Sequence, residues 1–325
     1  MKNRNMFILM ISVLLIVILI SSTAALILSG ITDDPIDICV VVDDSSSVRW
    51  ASFTAGLEQA AKDQNVKLNI ISTTKNTPIA QEYTLVNNAI DNGAEGVILQ
   101  PITSMGSENF ISGISSKAVL VMVDNDVDME IDVEGKSACI EPDNIEVGKA
   151  LANEVMLSFG SELSEHTIGI IAGNEGQNST KDKHTGFEEN LSSSGANIVW
   201  VDYSINAVGD RIKYRQNNEY ADILVAFDNA GLEAACEYAQ KQGEELAIFG
   251  MGNSIKNVSY LDDGLINSMV VPNEYYMGYQ AVTAIVKRLD NRLTPMENET
   301  ISFRIIKRES LFDETNQRLL FPVVE

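Results

Sequence analysis

The sequence predicts an α/β fold of repeated strand–helix units around mostly parallel sheets, and three observations carry that prediction. From Gly30 onward, short apolar runs alternate with amphipathic stretches, the pattern of βαβ units. Some runs, such as Val97-Ile98-Leu99 and Val119 to Val123, are continuously apolar, as expected of strands covered on both faces. The same succession is written twice, the second series beginning near Asp143.

Ahead of the fold, Lys2 and Arg4 precede an apolar stretch from Met6 to Leu28, broken only by Ser12 and Ser21-Ser22-Thr23. As a helix it would span roughly 34 Å, against a hydrocarbon core of about 30 Å. With positive residues before it and an acidic chain after it, the favoured orientation leaves the N-terminus inside and the remainder outside. Two readings of residues 1–30 stay open: an uncleaved signal anchor, which would be a transmembrane helix, or a signal peptide cleaved at the small residues Ser22-Thr23-Ala24. No cysteine lies nearby to accept a lipid.

Ile38 to Val42 is the first expected strand. Phe53, Leu57, Ala60 and Ala61 then recur at helical spacing, and Val66 to Ser72 is the second strand. Ile79, Tyr83, Val86 and Ile90 mark another helix, stopped by Asn92-Gly93. Strands at Val97 to Leu99 and Val119 to Val123 complete the first series. In the second, Val147, Leu151 and Val155 form a helical stripe, followed by a strand at Thr167 to Ile171 and a helix through Phe187 and Leu191. Strands follow at Ile198 to Val201, Ile223 to Phe227 and Leu246 to Phe249, with a helix carrying Leu232, Ala235 and Ala239 between the last two. Met277, Ala281, Ile285 and Leu289 repeat every four residues and predict a helix, and Ile301 to Ile306 reads as one last strand. No long linker separates the halves, which favours a hinge over independent domains.

At 325 residues and 45% hydrophobic, the chain can bury a sizeable core, and its length points to more than one domain. Its formal charge of −23 repels phosphate backbones and argues against nucleic acid as a partner. Cys39, Cys139 and Cys236 are scattered and read as buried small hydrophobes. His166 and His184 are the two histidines, and no paired His or Cys spacing offers a metal site. Gly250-Met251-Gly252 lacks the third glycine of a dinucleotide loop, where Ile255 stands, and no nucleophile elbow is present. The expectation is a protein that is not an enzyme and takes no cofactor or metal.

Trp50, one of two tryptophans, lies just past the first strand, after Asp43-Asp44-Ser45-Ser46-Ser47-Val48-Arg49. Open α/β sheets present ligand contacts outside the carboxyl ends of their strands. A face for stacking a ligand and a packing role under a loop both stay open for its ring. Asp124 ends an apolar strand, where a carboxylate without partners is costly; ligand contact is the favoured reading. Arg49 and Lys183 would hold an anionic group or simply be solvated.

Several stretches, in order, resemble the type I periplasmic binding proteins, the ribose- and galactose-binding family. They are Val40-Val41-Val42 through Trp50 to Gly56-Leu57-Glu58-Gln59-Ala60-Ala61, then Asn92-Gly93-Ala94-Glu95-Gly96-Val97-Ile98-Leu99 and Val121-Met122-Val123-Asp124. Asp143-Asn144 with Gly148, Thr185-Gly186-Phe187, Ala226-Phe227-Asp228-Asn229 and Tyr276-Met277-Gly278 close the series. The resemblance implies two Rossmann-like lobes with parallel sheets, residues 36–142 plus 273–300 and 143–272 plus 301–325, joined by a three-strand hinge. It implies ligand contacts from Ser47, Arg49, Trp50, Asp124, Asn125, Lys183, Phe227 and Asn253. Lys183 replaces a typical arginine, keeping charge but losing the planar fork. Phe227, Gly252 and Pro272 stand where sugar binders often have asparagine, aspartate and glutamine, and Gly209 where ribose-type members have an aromatic, so an ordinary pentose or hexose is in doubt.

By this resemblance the chain is expected to be an extracellular solute-binding protein that clamps a small polar ligand, a carbohydrate or derivative, for an ABC transporter. The alternative is a membrane-anchored sensor that reports to a histidine kinase or another membrane receptor. Either places the folded part at the extracellular face of the cell membrane or in the periplasm.

Overall fold

The computed structural model describes residues 14–21, 34–44, 50–128, 135–243 and 245–322. The chain divides into an N-terminal unit, Met1–Pro35, and a second unit, Ile36–Glu325. In the first, residues 14–21 are helical; the remainder of the Met6 to Leu28 stretch lies outside the described residues. Among the described residues no helix is long and apolar enough to cross a membrane.

The second unit begins with β1 (Ile36–Asp43), α1 (Ala51–Asp63), β2 (Val66–Thr73), α2 (Ile79–Asp91), β3 (Gly96–Leu99), α3 (Glu108–Ser115), β4 (Val119–Val123) and β5 (Ser137–Pro142). It continues with α4 (Asn144–Phe159), β6 (Thr167–Ile171), α5 (Asn178–Leu191), β7 (Asn197–Asp202), α6 (Val208–Asn218), β8 (Ile223–Ala226), α7 (Asn229–Gln242), β9 (Ala247–Met251), α8 (Ile255–Asp262) and β10 (Ser268–Pro272). Last come α9 (Glu274–Asp290), β11 (Glu299–Ile301), β12 (Phe303–Ile306) and α10 (Glu314–Leu320).

The strands form two six-stranded sheets with matching orders, β2-β1-β3-β4-β5-β11 and β7-β6-β8-β9-β10-β12. Pairing is parallel throughout the first sheet, while β12 runs antiparallel to β10 in the second. Both sheets reverse winding direction beside their first strand, and a crevice opens outside the carboxyl ends at such a switch point.

Alternation along each strand explains the double cover. In β1, Ile38, Val40 and Val42 pack with Phe53 and Leu57 of α1 and with Met277 and Ala281 of α9. The intervening Cys39 and Val41 pack with Val86 of α2 and Ile111 of α3. In the second sheet, Ile168 and Ile170 meet Val147, Leu151 and Phe187, whereas Ile171 and Leu224 meet Leu232 and Ala235 on the opposite face. A strand buried on both faces has no polar side to display, hence the continuous apolar runs. The helices α1 and α9 approach to backbone contact at Gly56, where a Cβ would lie 2.0 Å from the Tyr275 carbonyl oxygen.

Three differences from the sequence expectation have physical causes. The run from Ile301 to Ile306 is two strands: β11 pairs with β5 in one sheet and β12 with β10 in the other, with Ser302 between them. Apolar periodicity reports burial and is blind to which sheet supplies it. The strands β5 and β10 have no counterpart in the apolar reading, because Ser137 and Ser268 open them, and Pro142 and Pro272, which lack an amide donor, end them. The exposed, polar α6 and the short α8 were also not anticipated from apolar stripes.

Cys39, Cys139 and Cys236 are free and buried. Burial pushes the Cys39 thiol up to about 11 and that of Cys236 up to about 12, so neither supplies thiolate at neutral pH.

Candidate functional site

The chain passes from the first sheet to the second after β5, returns after β10, and crosses once more between β11 and β12. A cavity of about 200 Å³ lies between the carboxyl ends of the two sheets, smaller than the roughly 300–1,000 Å³ of pockets that hold drug-sized ligands. Its scale suits a single small molecule.

The first wall is built from the residues that follow β1, β3 and β4. Gln100 ties them together: its Oε1 accepts from the Asp43 amide at 3.3 Å, and its Nε2 donates to Asp124 Oδ2 at 2.9 Å. Asp124 itself sits at φ +63, a conformation that costs a non-glycine residue about 1–2 kcal/mol. Trp50 caps the start of α1 and borders the same cavity. It is only 1% exposed, its ring packs edge-on against Phe53 at 5.2 Å, and its Nε1 donates to the Asp43 carbonyl at 2.8 Å. The tryptophan is therefore both a core anchor of the first sheet and part of the cavity wall.

The second wall comes from the ends of β6, β8 and β9 and the start of α5. Asn174, Gln177 and Ser179 supply amide and hydroxyl groups, and Lys183 lies buried with its Nζ 3.8 Å from Met251 Sδ. Lys183 is held at close quarters because α4 and α5 touch at Gly148, where a Cβ would stand 2.0 Å from the Lys183 carbonyl oxygen. At the end of β8, Asp228 caps α7 by accepting from the Gly231 amide at 2.6 Å. Asn229 exchanges two hydrogen bonds with Asn253, at 2.9 and 2.8 Å, and Asn253 Nδ2 donates to Glu274 Oε2 at 2.5 Å. Asn229 and Glu274 both line the cavity.

The walls are joined by direct hydrogen bonds, so the cleft is closed. The Gly176 carbonyl accepts from the Ser104 and Met105 amides at 2.8 and 3.2 Å and from Thr103 Oγ1 at 2.9 Å. Asn174 Nδ2 donates to the Ile102 carbonyl at 2.8 Å. Asn125 Oδ1 accepts from Ser104 Oγ at 3.1 Å on its own side and from the Ser179 amide at 3.3 Å across the cleft. Farther out, beyond the edge strands β2 and β7, Asn76 and Asn206 exchange amide hydrogen bonds at 3.2 and 2.8 Å.

Of the residues singled out from the sequence, Trp50, Asp124, Lys183 and Phe227 line the cavity. Asn125 and Asn253 lie one layer behind it, where they hold Ser179, Asn229 and Glu274 in place. Ser47 and Arg49 lie outside the described residues. Phe227, Gly252 and Pro272 make an apolar part of the wall, and Gly209 is not among the lining residues. Sequence reasoning missed Gln100, Asn174, Asn229 and Glu274. Each stands one to three residues beyond the end of a strand, and that position was the available signal.

Two carboxyls near the cleft, the buried Glu82 and the half-buried Glu141, are perturbed. Burial raises Glu82 to about 7, against a smaller downward pull from the Ile102 amide, which donates to its Oε1 at 3.1 Å. Burial and the neighbouring Asp126 raise Glu141 to about 8, against a smaller downward pull from its hydrogen bond with Cys139.

Comparison with known proteins gives a consistent picture. The family model of a periplasmic binding protein domain matches residues 38–293. An ABC transporter periplasmic-binding protein of Escherichia coli K12, YphF, is 28% identical over 154 residues, which are 46% of this chain and 47% of that relative's length. The chain thus spans about half the length of that curated relative. A carbohydrate transporter solute binding protein from Agrobacterium radiobacter, solved with D-arabinose, superposes with a TM-score of 0.79 at 17% identity, over 89% of this chain and all of that one. A XylFII–LytSN complex includes a chain that superposes with a TM-score of 0.73 at 19% identity, over 85% of this chain and 98% of that one. At such identities the structural likeness speaks for the two-lobed α/β fold with parallel sheets.

Proposed function

The chain belongs to the periplasmic binding protein domain family, and from that premise we propose that it is a solute-binding protein that closes around a small polar ligand, a carbohydrate or derivative, for an ABC transporter. The observation that carries the reading is the closed cavity itself, where amides, hydroxyls and carboxylates from both sheets converge at the strand ends. Such groups match the donors and acceptors of a polyol, and pairing them in a water-poor cleft avoids the cost of leaving them unmet. The binding of D-arabinose by the Agrobacterium protein and the transporter role named for YphF support the same reading.

In this account Trp50, Asp124, Lys183 and Phe227 touch the ligand, Ser47 and Arg49 are further contacts implied by the family resemblance, and Asn125 and Asn253 position their neighbours. The lobes, 36–142 with 273–300 and 143–272 with 301–325, move about the three crossovers. The N-terminal segment, as anchor or signal peptide, directs the folded part to the extracellular face of the membrane or to the periplasm.

One observation favours a second reading, in which an anchored protein reports ligand occupancy to a membrane partner. The apolar stretch has spanning length and no nearby cysteine for a lipid, and a structural neighbour was solved as a complex, XylFII–LytSN. Thermal-shift screening of the purified protein against pentoses, hexoses and their derivatives tests binding, because a ligand of the folded state raises its stability. Deleting the gene and following uptake of the stabilising sugar separates the readings: lost uptake supports transport, and unchanged uptake supports sensing.

A further inference from the structure

Helix α5 has its first amides met from across the cleft. Asp143, Asp228, Ser254 and Asn273 each cap the helix that follows them, accepting from the amide three residues on. Gln177, at the same position before α5, makes no such bond; its Nε2 donates instead to the Pro101 carbonyl at 3.4 Å. The Asn178 amide donates to Ser104 Oγ at 2.9 Å and the Ser179 amide to Asn125 Oδ1 at 3.3 Å. Both acceptors come from segments that follow strands of the first sheet, β3 and β4, and both residues are buried. They are fixed on their own side: Asn125 Nδ2 donates to the Pro101 carbonyl at 3.2 Å, and Ser104 Oγ shares its proton between Asn125 Oδ1 at 3.1 Å and the Asp126 carbonyl at 2.5 Å. The amides that open a helix have no partner within it and carry the positive end of its dipole, so a buried acceptor placed there stabilises the helix.

We propose that this cap supplied across the cleft is a latch that holds the cleft closed before any ligand binds, and that it couples closure to the assembly of the second wall. Its donors and acceptors are all protein atoms, so its bonds do not depend on what the cavity holds. The Gly176 carbonyl extends it, accepting from the Ser104 and Met105 amides and from Thr103 Oγ1. Gly176 is not a positive-φ glycine; closeness fixes it, because a Cβ there would lie 2.4 Å from Thr103 Oγ1 and 3.2 Å from Thr103 Cβ. Ser179, Thr180 and Lys183, in the first two turns of α5, line the cavity. Opening the cleft uncaps the turn that carries Ser179 and Thr180 and frays it. Closing restores it, and a binding-competent form already populated avoids the loss of affinity that a rarely populated one imposes.

The test is cross-linking of the full chain carrying Asn76→Cys and Asn206→Cys, two exposed positions that meet across the cleft, with a short bifunctional methanethiosulfonate; Cys39, Cys139 and Cys236 are buried. Cross-linking half-times without sugar are compared in this parent and after adding Gly176→Val, which wedges the seam, or Ser104→Ala, which removes one acceptor. The expected result is a half-time longer by at least about fivefold for Gly176→Val and about twofold for Ser104→Ala. Unchanged half-times in variants that still melt cooperatively overturn the proposal, and Ser104→Ala keeps the test decisive if the wedge disturbs the fold. A sugar that stabilises the protein is expected to speed the parent by less than about twofold, because the cleft is already closed; a larger acceleration overturns the closed resting state. Should no sugar bind, the sugar-free comparison still decides the latch, so the latch and the sugar-binding reading fail separately.

Discussion

Gln100 Nε2 donates to Asp124 Oδ2 at 2.9 Å, while the same amide's oxygen accepts from the Asp43 backbone. One side chain thus orients a carboxylate that lines the cavity and pins the end of the first strand. Gln100→Ala removes both contacts and is expected to destabilise the fold by about 1–3 kcal/mol, with a matching loss of ligand affinity. Urea denaturation and calorimetry measure the two effects; full affinity in the variant would remove Gln100 from the site.

Asn76 and Asn206 form an exposed bridge across the cleft, donating to one another at 3.2 and 2.8 Å. Both are exposed, so the pair is worth roughly 1 kcal/mol. Asn206→Ala is expected to leave unfolding unchanged, to weaken ligand binding about fivefold, and to do so by faster dissociation. Stopped-flow kinetics would contradict this if only the association rate changed.

Glu82 makes stability depend on pH. Its buried carboxyl is raised from about 4.5 to about 7 in the fold, so between those values the native state holds a proton that the unfolded chain has released. The contribution is fully present below pH 4.5 and is lost as pH rises through 7, by roughly 3 kcal/mol. Glu82→Gln keeps an acceptor for the Ile102 amide and is expected to raise Tm at pH 8, with little effect at pH 5. An equal shift at both pH values would show that burial is not the cause.

Gly148 is fixed by the closeness of α4 and α5. An alanine Cβ there would lie 2.0 Å from the Lys183 carbonyl oxygen and 2.8 Å from the Phe187 amide nitrogen, and separating the helices would cost about 3 kcal/mol or more. At Gly209, in the first turn of α6, a Cβ meets nothing within 4 Å; alanine there is expected to be neutral or stabilising by up to about 1 kcal/mol. Denaturation midpoints of the two variants compare steric contact with helix propensity directly.

Much of this architecture was legible because burial on both faces writes itself as continuous apolar runs. Val119 to Val123 and Val97 to Leu99 are central strands for that reason, and the four-residue repeat from Met277 is the buried stripe of α9. The division of residues 299–306 between two sheets was not legible, since β11 and β12 are buried alike but by different partners. At the site, Asp124 stood out as a carboxylate at the end of an apolar strand. Glu274 did not, because its route to the cavity depends on the crossover after β10 and on the Asn253 bond. Trp50 was visible as an aromatic at a strand mouth, yet the Phe53 contact that makes it part of the core as well appears only in three dimensions.

The most direct measurement of the central claim is isothermal titration calorimetry of the purified protein and its Asp124→Asn variant, with each sugar that stabilises the wild type. The account predicts saturable one-to-one binding by the wild type and a loss of about 1–3 kcal/mol in the variant, with the melting temperature of the free protein little changed. Equal affinity in the two proteins, or no binding by any sugar tested, would contradict it.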